Sequence, residues 1–160
     1  MTSDSNPDPA HIDMVRASRE GHTYHDTWTA RIALELSVPT TDLTAVAVEG
    51  FSTEDAQIAS GPATEIADLV RYRGAVSIAD ASRVEVLQFK YSIAQALEPM
   101  RAADIGKTLN KFARADGNFV AKSGRERVIR VVRYEIVTNR PFHEPPCSGR
   151  RNSPPSLFGR

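Results

Sequence analysis

The chain has 160 residues, of which 41% are hydrophobic and 25% are charged, a composition typical of one globular domain with its own core. No run approaches the ~20 apolar residues that would cross a bilayer. Residues 1–9 lack the basic and apolar regions of a signal peptide. The single cysteine, Cys147, excludes an internal disulfide and a cysteine-based zinc cage. We therefore expect a cytoplasmic protein that makes no contact with a membrane.

The formal net charge is zero, but it averages two parts of opposite sign. Residues 1–100 contain 7 Lys and Arg against 15 Asp and Glu, whereas residues 101–160 contain 13 against 5. The acidic part could hold a metal cation, and the basic part could meet a polyanion. The alternative is a solvated surface whose two halves neutralise each other.

Polar, proline-containing stretches bound the folded part of the chain. We predict a disordered lead-in over residues 1–14, one domain over residues 15–142, and a disordered Pro/Arg-rich tail over residues 143–160.

Within this domain, the expected order is helix, three strands, helix, strand. The first helix starts at Thr23 and ends before Pro39, with an apolar stripe formed by Tyr24, Trp28, Ile32 and Leu36. Strands are predicted over residues 43–49, 64–71, 83–91 and 128–137. The second helix covers residues 101–115, breaks at Asp116–Gly117, and has an apolar stripe formed by Ile105, Leu109, Phe112 and Ala113. This order predicts an α/β fold in which a mixed sheet is flanked by helices.

The third predicted strand contains an unusual lysine. Because strand side chains alternate between faces, Gln88 and Lys90 should point the same way as Val86, and Phe89 should point the other way. A lysine on an apolar face needs partners if it is buried. The alternative is that the strand end is exposed and Lys90 reaches water.

Two acidic residues lie in or beside the other β-like segments. Asp68 interrupts an apolar run, where strand propensity disfavours a carboxylate unless a metal, a cation or an edge position satisfies it. Glu49 ends the preceding strand, just before Gly50. Three adjacent strands could therefore bring Glu49, Asp68, Gln88 and Lys90 to one surface.

Such a surface would suit a divalent cation. Carboxylates of Asp68 and Glu49, the amide oxygen of Gln88 and the main-chain carbonyl of Phe89 are hard ligands for Mg²⁺ or Mn²⁺. The ion would polarise a phosphodiester oxygen and help to activate water. Lys90 would position or deprotonate that water and offset negative charge on phosphorus.

An acid on one strand and Gln-x-Lys on the next resemble the PD-(D/E)xK nuclease superfamily, in its Mrr-like variant with Gln in place of the second acid. The likeness extends to the N-terminal double-stranded-DNA endonuclease domain of bacterial anti-phage effectors, including those of CBASS systems. Six segments follow the order of that family: residues 16–31, 48–50, 66–72, 87–92, 105–113 and 134–141.

The resemblance implies a restriction-endonuclease-like fold and metal-dependent cleavage of double-stranded DNA in phage defence. It assigns catalytic roles to Asp68, Gln88, Lys90 and Glu49. In the family the nuclease is usually followed by a large second part, whereas this chain stops soon after Thr138-Asn-Arg-Pro. We therefore expect a truncated product, or a free-standing nuclease that works with a regulatory subunit or as a homo-oligomer. The alternatives are an inactive nuclease-fold module that binds DNA or a protein, and a remnant without function.

Several other residues allow a functional and an ordinary interpretation. Lys107, Lys111 and Arg114 form one basic helical stripe, which would contact DNA phosphates or simply face solvent. Glu35 is either an additional acid of the site or a solvent-exposed glutamate. His22 and His25 are expected to be structural or surface residues, because no Cys or third His stands near them. Trp28 is expected in the core.

Overall fold

A computed structural model describes residues 9–57 and 66–142 of the protein, with no side-chain description for residues 9–18. Four helices and four strands occur in this part of the chain: α1 (Pro9–Ala33), β1 (Leu43–Val48), α2 (Thr53–Ala56), β2 (Leu69–Arg73), β3 (Arg83–Lys90), α3 (Ala102–Ser123), α4 (Arg125–Val131) and β4 (Val132–Thr138). A short 3₁₀ helix, Leu34–Ser37, extends α1. The predicted tail, residues 143–160, lies outside the described residues.

The four strands form one mixed sheet in the order β1-β2-β3-β4. Strand β2 is antiparallel to both β1 and β3, whereas β3 and β4 are parallel and are joined through α3 and α4. The mixed sheet with flanking helices confirms the coarse α/β prediction. None of the helices in the described ranges is long and apolar enough to cross a membrane.

The sheet has two covered faces, and the alternation of β3 separates them. Val84 and Val86 join the larger core with Phe112 and Phe119 of α3, whereas Leu87 and other residues join a smaller core. That smaller core consists of Ile32, Leu69, Leu87 and Phe89, with Tyr24, Trp28, Val46 and Val137 packed against it. The alternation predicted for β3 is therefore confirmed, and it assigns Gln88 and Lys90 to the α3 face of the sheet.

The first helix starts much earlier than predicted. It begins at Pro9 rather than at Thr23, so residues 9–14, expected in a disordered lead-in, are helical, and residues 1–8 lie outside the described part. Thr23 does not cap a helix, because its Oγ1 donates to the carbonyl of Arg19 within α1. Leu36 is 45% exposed in the 3₁₀ turn and does not continue the apolar stripe.

Helix α3 continues through the break predicted at Asp116–Gly117. Its buried residues are Thr108, Phe112, Ala115 and Phe119. Leu109 is 48% exposed and Ala113 is also exposed, so the predicted apolar stripe was wrong at both positions. The burial of Phe119 beyond Gly117 explains the continuation, since packing outweighs the ~1 kcal/mol helical penalty of one glycine. The helix ends at Gly124, whose φ of 81° favours glycine.

Two predicted strands have different boundaries. The second was expected over residues 64–71, but β2 starts at Leu69, and Asp68 precedes the strand instead of lying inside it. The last was expected from Val128, but residues up to Val131 form α4. Val128 and Val131 are both buried at helical i, i+3 spacing, so tertiary packing overrides their β propensity.

Candidate active site

One edge of the sheet collects the predicted catalytic residues. Glu49 follows β1, Asp68 precedes β2 and Lys90 ends β3. Because β1 and β3 both run antiparallel to β2, the ends of the outer two strands lie beside the start of the middle one. We call Glu49, Asp68, Gln88 and Lys90 the Asp68 edge.

The Asp68 carboxylate is in direct contact with β3. Its Oδ2 accepts a hydrogen bond from Gln88 Nε2 and another, of 2.6 Å, from the main-chain N–H of Phe89. The main-chain N–H of Asp68 donates to the carbonyl of Leu87 at 3.0 Å. The structure therefore brings Asp68 and Gln88 together, and the carboxylate also caps the end of the β2–β3 ladder.

Glu49 meets Asp68 through the main chain. Its N–H donates to the Asp68 carbonyl at 2.9 Å, while its side chain is exposed to solvent. Its φ of 54° lies in the left-handed region, which non-glycine residues rarely adopt. Such strain often accompanies functional sites. The turn therefore places this acid beside Asp68 at some conformational cost.

Lys90 shares the face of Gln88 and is half-buried. Its register partner on β4 is Thr138, which has no charge. No salt bridge joins Lys90 to an acid in the described ranges 19–57 and 66–142. The structure thus puts an ammonium two residues from Gln88 on one face, without supplying a carboxylate partner from those ranges.

The segment that follows Lys90 is held by two residues whose roles sequence reasoning missed. Asn139 accepts from Ser92 N at 3.1 Å and donates to Ser92 O at 2.9 Å, which fixes the chain just after β3. The Arg140 guanidinium contacts the loop and the start of α3 through Gln95 Oε1, Glu98 O, Pro99 O and Asp104 Oδ2. Both residues belong to the Thr-Asn-Arg-Pro segment. An amide and a guanidinium directly after a strand were the sequence signal that could have indicated these contacts.

The α1 face of the sheet, opposite the face of Gln88 and Lys90, carries a group of paired charges. We call this group the Glu85 cluster: Glu85, Arg71, Arg73 and Arg83. The buried Glu85 carboxylate lies 2.8 Å from Arg71 Nε, 3.4 Å from Arg73 Nε and 2.9 Å from Arg83 Nε. The Arg71 Nε–H is not aimed at its oxygen, so that contact is an ion pair rather than a hydrogen bond.

Further acids surround the Glu85 cluster. Glu35 lies 3.3 Å from Arg73 Nη2, Asp42 lies 2.6 Å from Arg73 Nη1, and Glu135 lies 3.2 Å from Arg71 Nη2. The hydrogen bond from Arg73 holds the pKa of Asp42 below its usual value. Glu35 is therefore neither an acid of the Asp68 edge nor a free surface glutamate, because it pairs with arginines on the other face.

The predicted DNA-binding stripe lies on the outer side of α3. Lys107, Lys111 and Arg114 are all exposed, while the buried side of the same helix packs on the sheet. None of the three forms a salt bridge with an acid in the portion of the chain that the structure describes. Their charges are thus available to solvent or to a polyanion.

His22 and His25 differ in their surroundings. His25 packs edge-on against Phe89, with 5.3 Å between ring centroids, and His22 is exposed. In the described ranges, no group of three or more His, Cys, Asp or Glu side chains could hold a metal ion. The set predicted for Mg²⁺ instead includes the Gln88 amide and a main-chain carbonyl. Its chemistry of hard oxygens suits that ion.

Comparison with known proteins does not assign a family. The chain matches no protein-family model, and no curated protein is significantly similar to it.

Proposed function

We propose that the protein is a Mg²⁺-dependent DNA endonuclease domain whose catalytic residues are Asp68, Gln88, Lys90 and Glu49. The observation that carries the proposal is the direct contact of the Asp68 carboxylate with Gln88 and Phe89, beside a lysine on the same face. An acid that can hold a metal ion and an ammonium that can stabilise negative charge on a phosphate are groups that phosphodiester hydrolysis can use.

The architecture supports the same proposal. A central mixed sheet with helices on both faces is what the likeness to PD-(D/E)xK nucleases implies, and the strand order β1-β2-β3-β4 is compatible with it. The acid lies at the start of β2 and the Gln-x-Lys sequence lies at the end of the adjacent β3. A restriction-endonuclease-like fold is therefore part of the proposal.

Each residue of the edge has a chemical task in this proposal. The oxygens of Asp68, Glu49 and Gln88, with the carbonyl of Phe89, would hold Mg²⁺ or Mn²⁺, which supplies Lewis acidity and charge neutralisation when bound. Lys90 donates to a non-bridging phosphate oxygen and orients the attacking water. Asn139 keeps the main chain in place just after Lys90 through Ser92.

The basic stripe of α3 and the likeness to double-stranded-DNA endonucleases both favour double-stranded DNA as the substrate. The exposed stripe Lys107, Lys111 and Arg114 would contact the phosphates of double-stranded DNA. A role in bacterial anti-phage defence follows from the likeness to CBASS-type effectors, and a regulatory subunit or a second copy of the chain would be the protein partner.

A plasmid cleavage assay tests the proposal. The wild-type protein should convert supercoiled plasmid to nicked and linear forms in Mg²⁺, and EDTA should stop the reaction. Lys90→Ala should reduce the rate on the order of 100- to 1000-fold, because it removes one positive group that stabilises the transition state. Lys122→Ala, which changes an exposed lysine near the end of α3, is the matched control and should cut normally.

Two results would overturn the assignment. Lys90→Ala cutting at the wild-type rate would remove the lysine from the mechanism, and wild-type cleavage that persists in EDTA would remove the metal. All variants should first show a cooperative thermal transition by circular dichroism, so that lost activity is not confused with lost folding.

One observation favours a second candidate, an inactive nuclease-fold module. Asp68 Oδ2 already caps the β2–β3 ladder, and that role alone would retain an aspartate there. A module of this kind would bind DNA in a salt-dependent way but leave plasmid intact in both Mg²⁺ and Mn²⁺.

A further inference from the structure

An aromatic cleft lies on the α1 side of the sheet. It encloses about 440 Å³ and is lined by Glu20, Thr23, Tyr24, Thr27, Trp28, Arg31 and Tyr91. All but Tyr91 come from three successive turns of α1. Tyr91 directly follows Lys90 in the chain, but its ring lies against α1, whereas Lys90 lies on the α3 face of the sheet.

Three rings define the apolar part of the cleft. Tyr24 stacks on Tyr91, with centroids 4.9 Å apart and planes 28° apart, and Trp28 meets Tyr24 edge-on at 6.3 Å. All three rings are half-buried, although Trp28 was expected in the core. The fully buried residues of this face, among them Leu87 and Phe89, lie beneath them. Part of each ring therefore faces solvent and is not packed in the core.

The polar groups of the cleft have a distinct arrangement. The Arg31 guanidinium is exposed and lies 5.4 Å from the Trp28 ring centroid, a cation–π geometry. Glu20 Oε2 accepts from the Tyr91 hydroxyl at 3.3 Å. Thr23 and Thr27 donate their hydroxyls to carbonyls within α1, so they need no further acceptor. A cation and an acceptor thus flank the aromatic rings.

We propose that this cleft binds an unpaired nucleobase, with its ring against Trp28 and Tyr91 and its phosphate against Arg31. Planar aromatic surface beside a guanidinium is the chemistry by which proteins hold single-stranded nucleic acid without reading its sequence. The Glu20 carboxylate accepts a hydrogen bond from a base N–H. The inference rests on the proposed function for its choice of ligand, and it deepens that function, because it adds an unpaired strand to the forms of DNA that the protein would contact.

Trp28 allows a direct test because it is the only tryptophan of the chain. In EDTA, where cleavage is blocked, an oligothymidylate of about ten nucleotides should quench Trp28 emission to saturation. An abasic strand of equal length should not quench it, and a duplex should quench less. Thymidine monophosphate alone is the arm that separates a free-nucleotide site from a site for a DNA strand, and it should bind far more weakly.

Matched variants locate the binding. Tyr91→Leu should raise the dissociation constant about tenfold through the loss of stacking, whereas Tyr91→Phe keeps the ring and should bind normally. Arg31→Ala should weaken binding and reduce its dependence on salt. Arg130→Ala, an exposed arginine of α4 outside the cleft, is the control.

The possible results separate this inference from the proposed function. Equal quenching by the abasic strand, or a folded Tyr91→Leu protein with wild-type affinity, would overturn the base-binding cleft. If the protein cuts plasmid but shows no base-dependent quenching, the base-binding cleft is rejected and the nuclease assignment stands. If the protein shows the quenching but never cuts, the base-binding cleft stands and the nuclease assignment is rejected.

Discussion

The Glu85 cluster and the Asp68 edge lie on opposite faces of the sheet, and their charged residues differ in the partners that surround them. The buried Glu85 carboxylate is surrounded by three arginines. Asp68 contacts an amide and a main-chain N–H, and Lys90 pairs with no acid within the described ranges. Removing one partner of a buried ion pair is costly because it leaves the other charge buried, whereas a charge without an acid partner in the described ranges, such as that of Lys90, is available to a ligand.

The largest loss of stability should come from the Glu85 cluster. Glu85→Ala removes the one carboxylate that three arginines share and leaves Arg71 and Arg73 largely buried without it. The free energy of unfolding should fall by about 3 kcal/mol or more. Urea denaturation measures it, with the exposed Glu126→Ala as control, which should change stability by less than about 0.5 kcal/mol. A small loss for Glu85→Ala would show that the cluster contributes little to the fold.

The stability of the fold should tolerate loss of the Asp68 charge but not loss of the hydrogen-bond acceptor at this position. Asp68→Ala leaves the N–H groups of Phe89 and Gln88 without their acceptor and should cost about 1–3 kcal/mol. Asp68→Asn keeps an oxygen in place, so its urea midpoint should stay close to wild type while plasmid cleavage is lost. If Asn destabilises the protein as much as Ala, the carboxylate charge itself supports the fold.

The smallest effect on stability is expected for the basic stripe of α3. Replacing Lys107, Lys111 and Arg114 together by alanine should leave the melting temperature nearly unchanged, since all three are exposed. For duplex DNA, the logarithm of the binding constant falls with the logarithm of the salt concentration. The magnitude of this slope should decrease by about 0.9 for each phosphate that the variant no longer neutralises. A triple replacement of Lys122, Arg125 and Arg130 is the control, and an equal decrease for the two triples would mean that the stripe is not specific.

The two regions also differ in how far they could be predicted from sequence. Strict alternation along β3 was sufficient to place Gln88 and Lys90 on one face, and an acid in an apolar run drew attention to Asp68. The Glu85 cluster could not be predicted, because Arg71 faces Glu85 only through the β2–β3 register, which depends on pairing between strands.

The errors in element boundaries have a common cause. Gly117 and Val128 have the local preferences of a helix break and a strand, but packing of Phe119 and Val131 keeps both segments helical. The role of Asn139 was missed for a related reason. Its contact with Ser92 joins residues 47 positions apart, and no local pattern reports such a contact.

Manganese binding followed by electron paramagnetic resonance is the most direct test of the claim that the Asp68 edge holds a divalent ion. It requires neither DNA nor catalysis. The wild-type protein should remove one equivalent of Mn²⁺ from the free-ion signal, Mg²⁺ should compete for the same site, and Asp68→Asn should bind at least about tenfold more weakly. Equal binding by wild type and Asp68→Asn, or no binding by the folded wild type, would contradict the account.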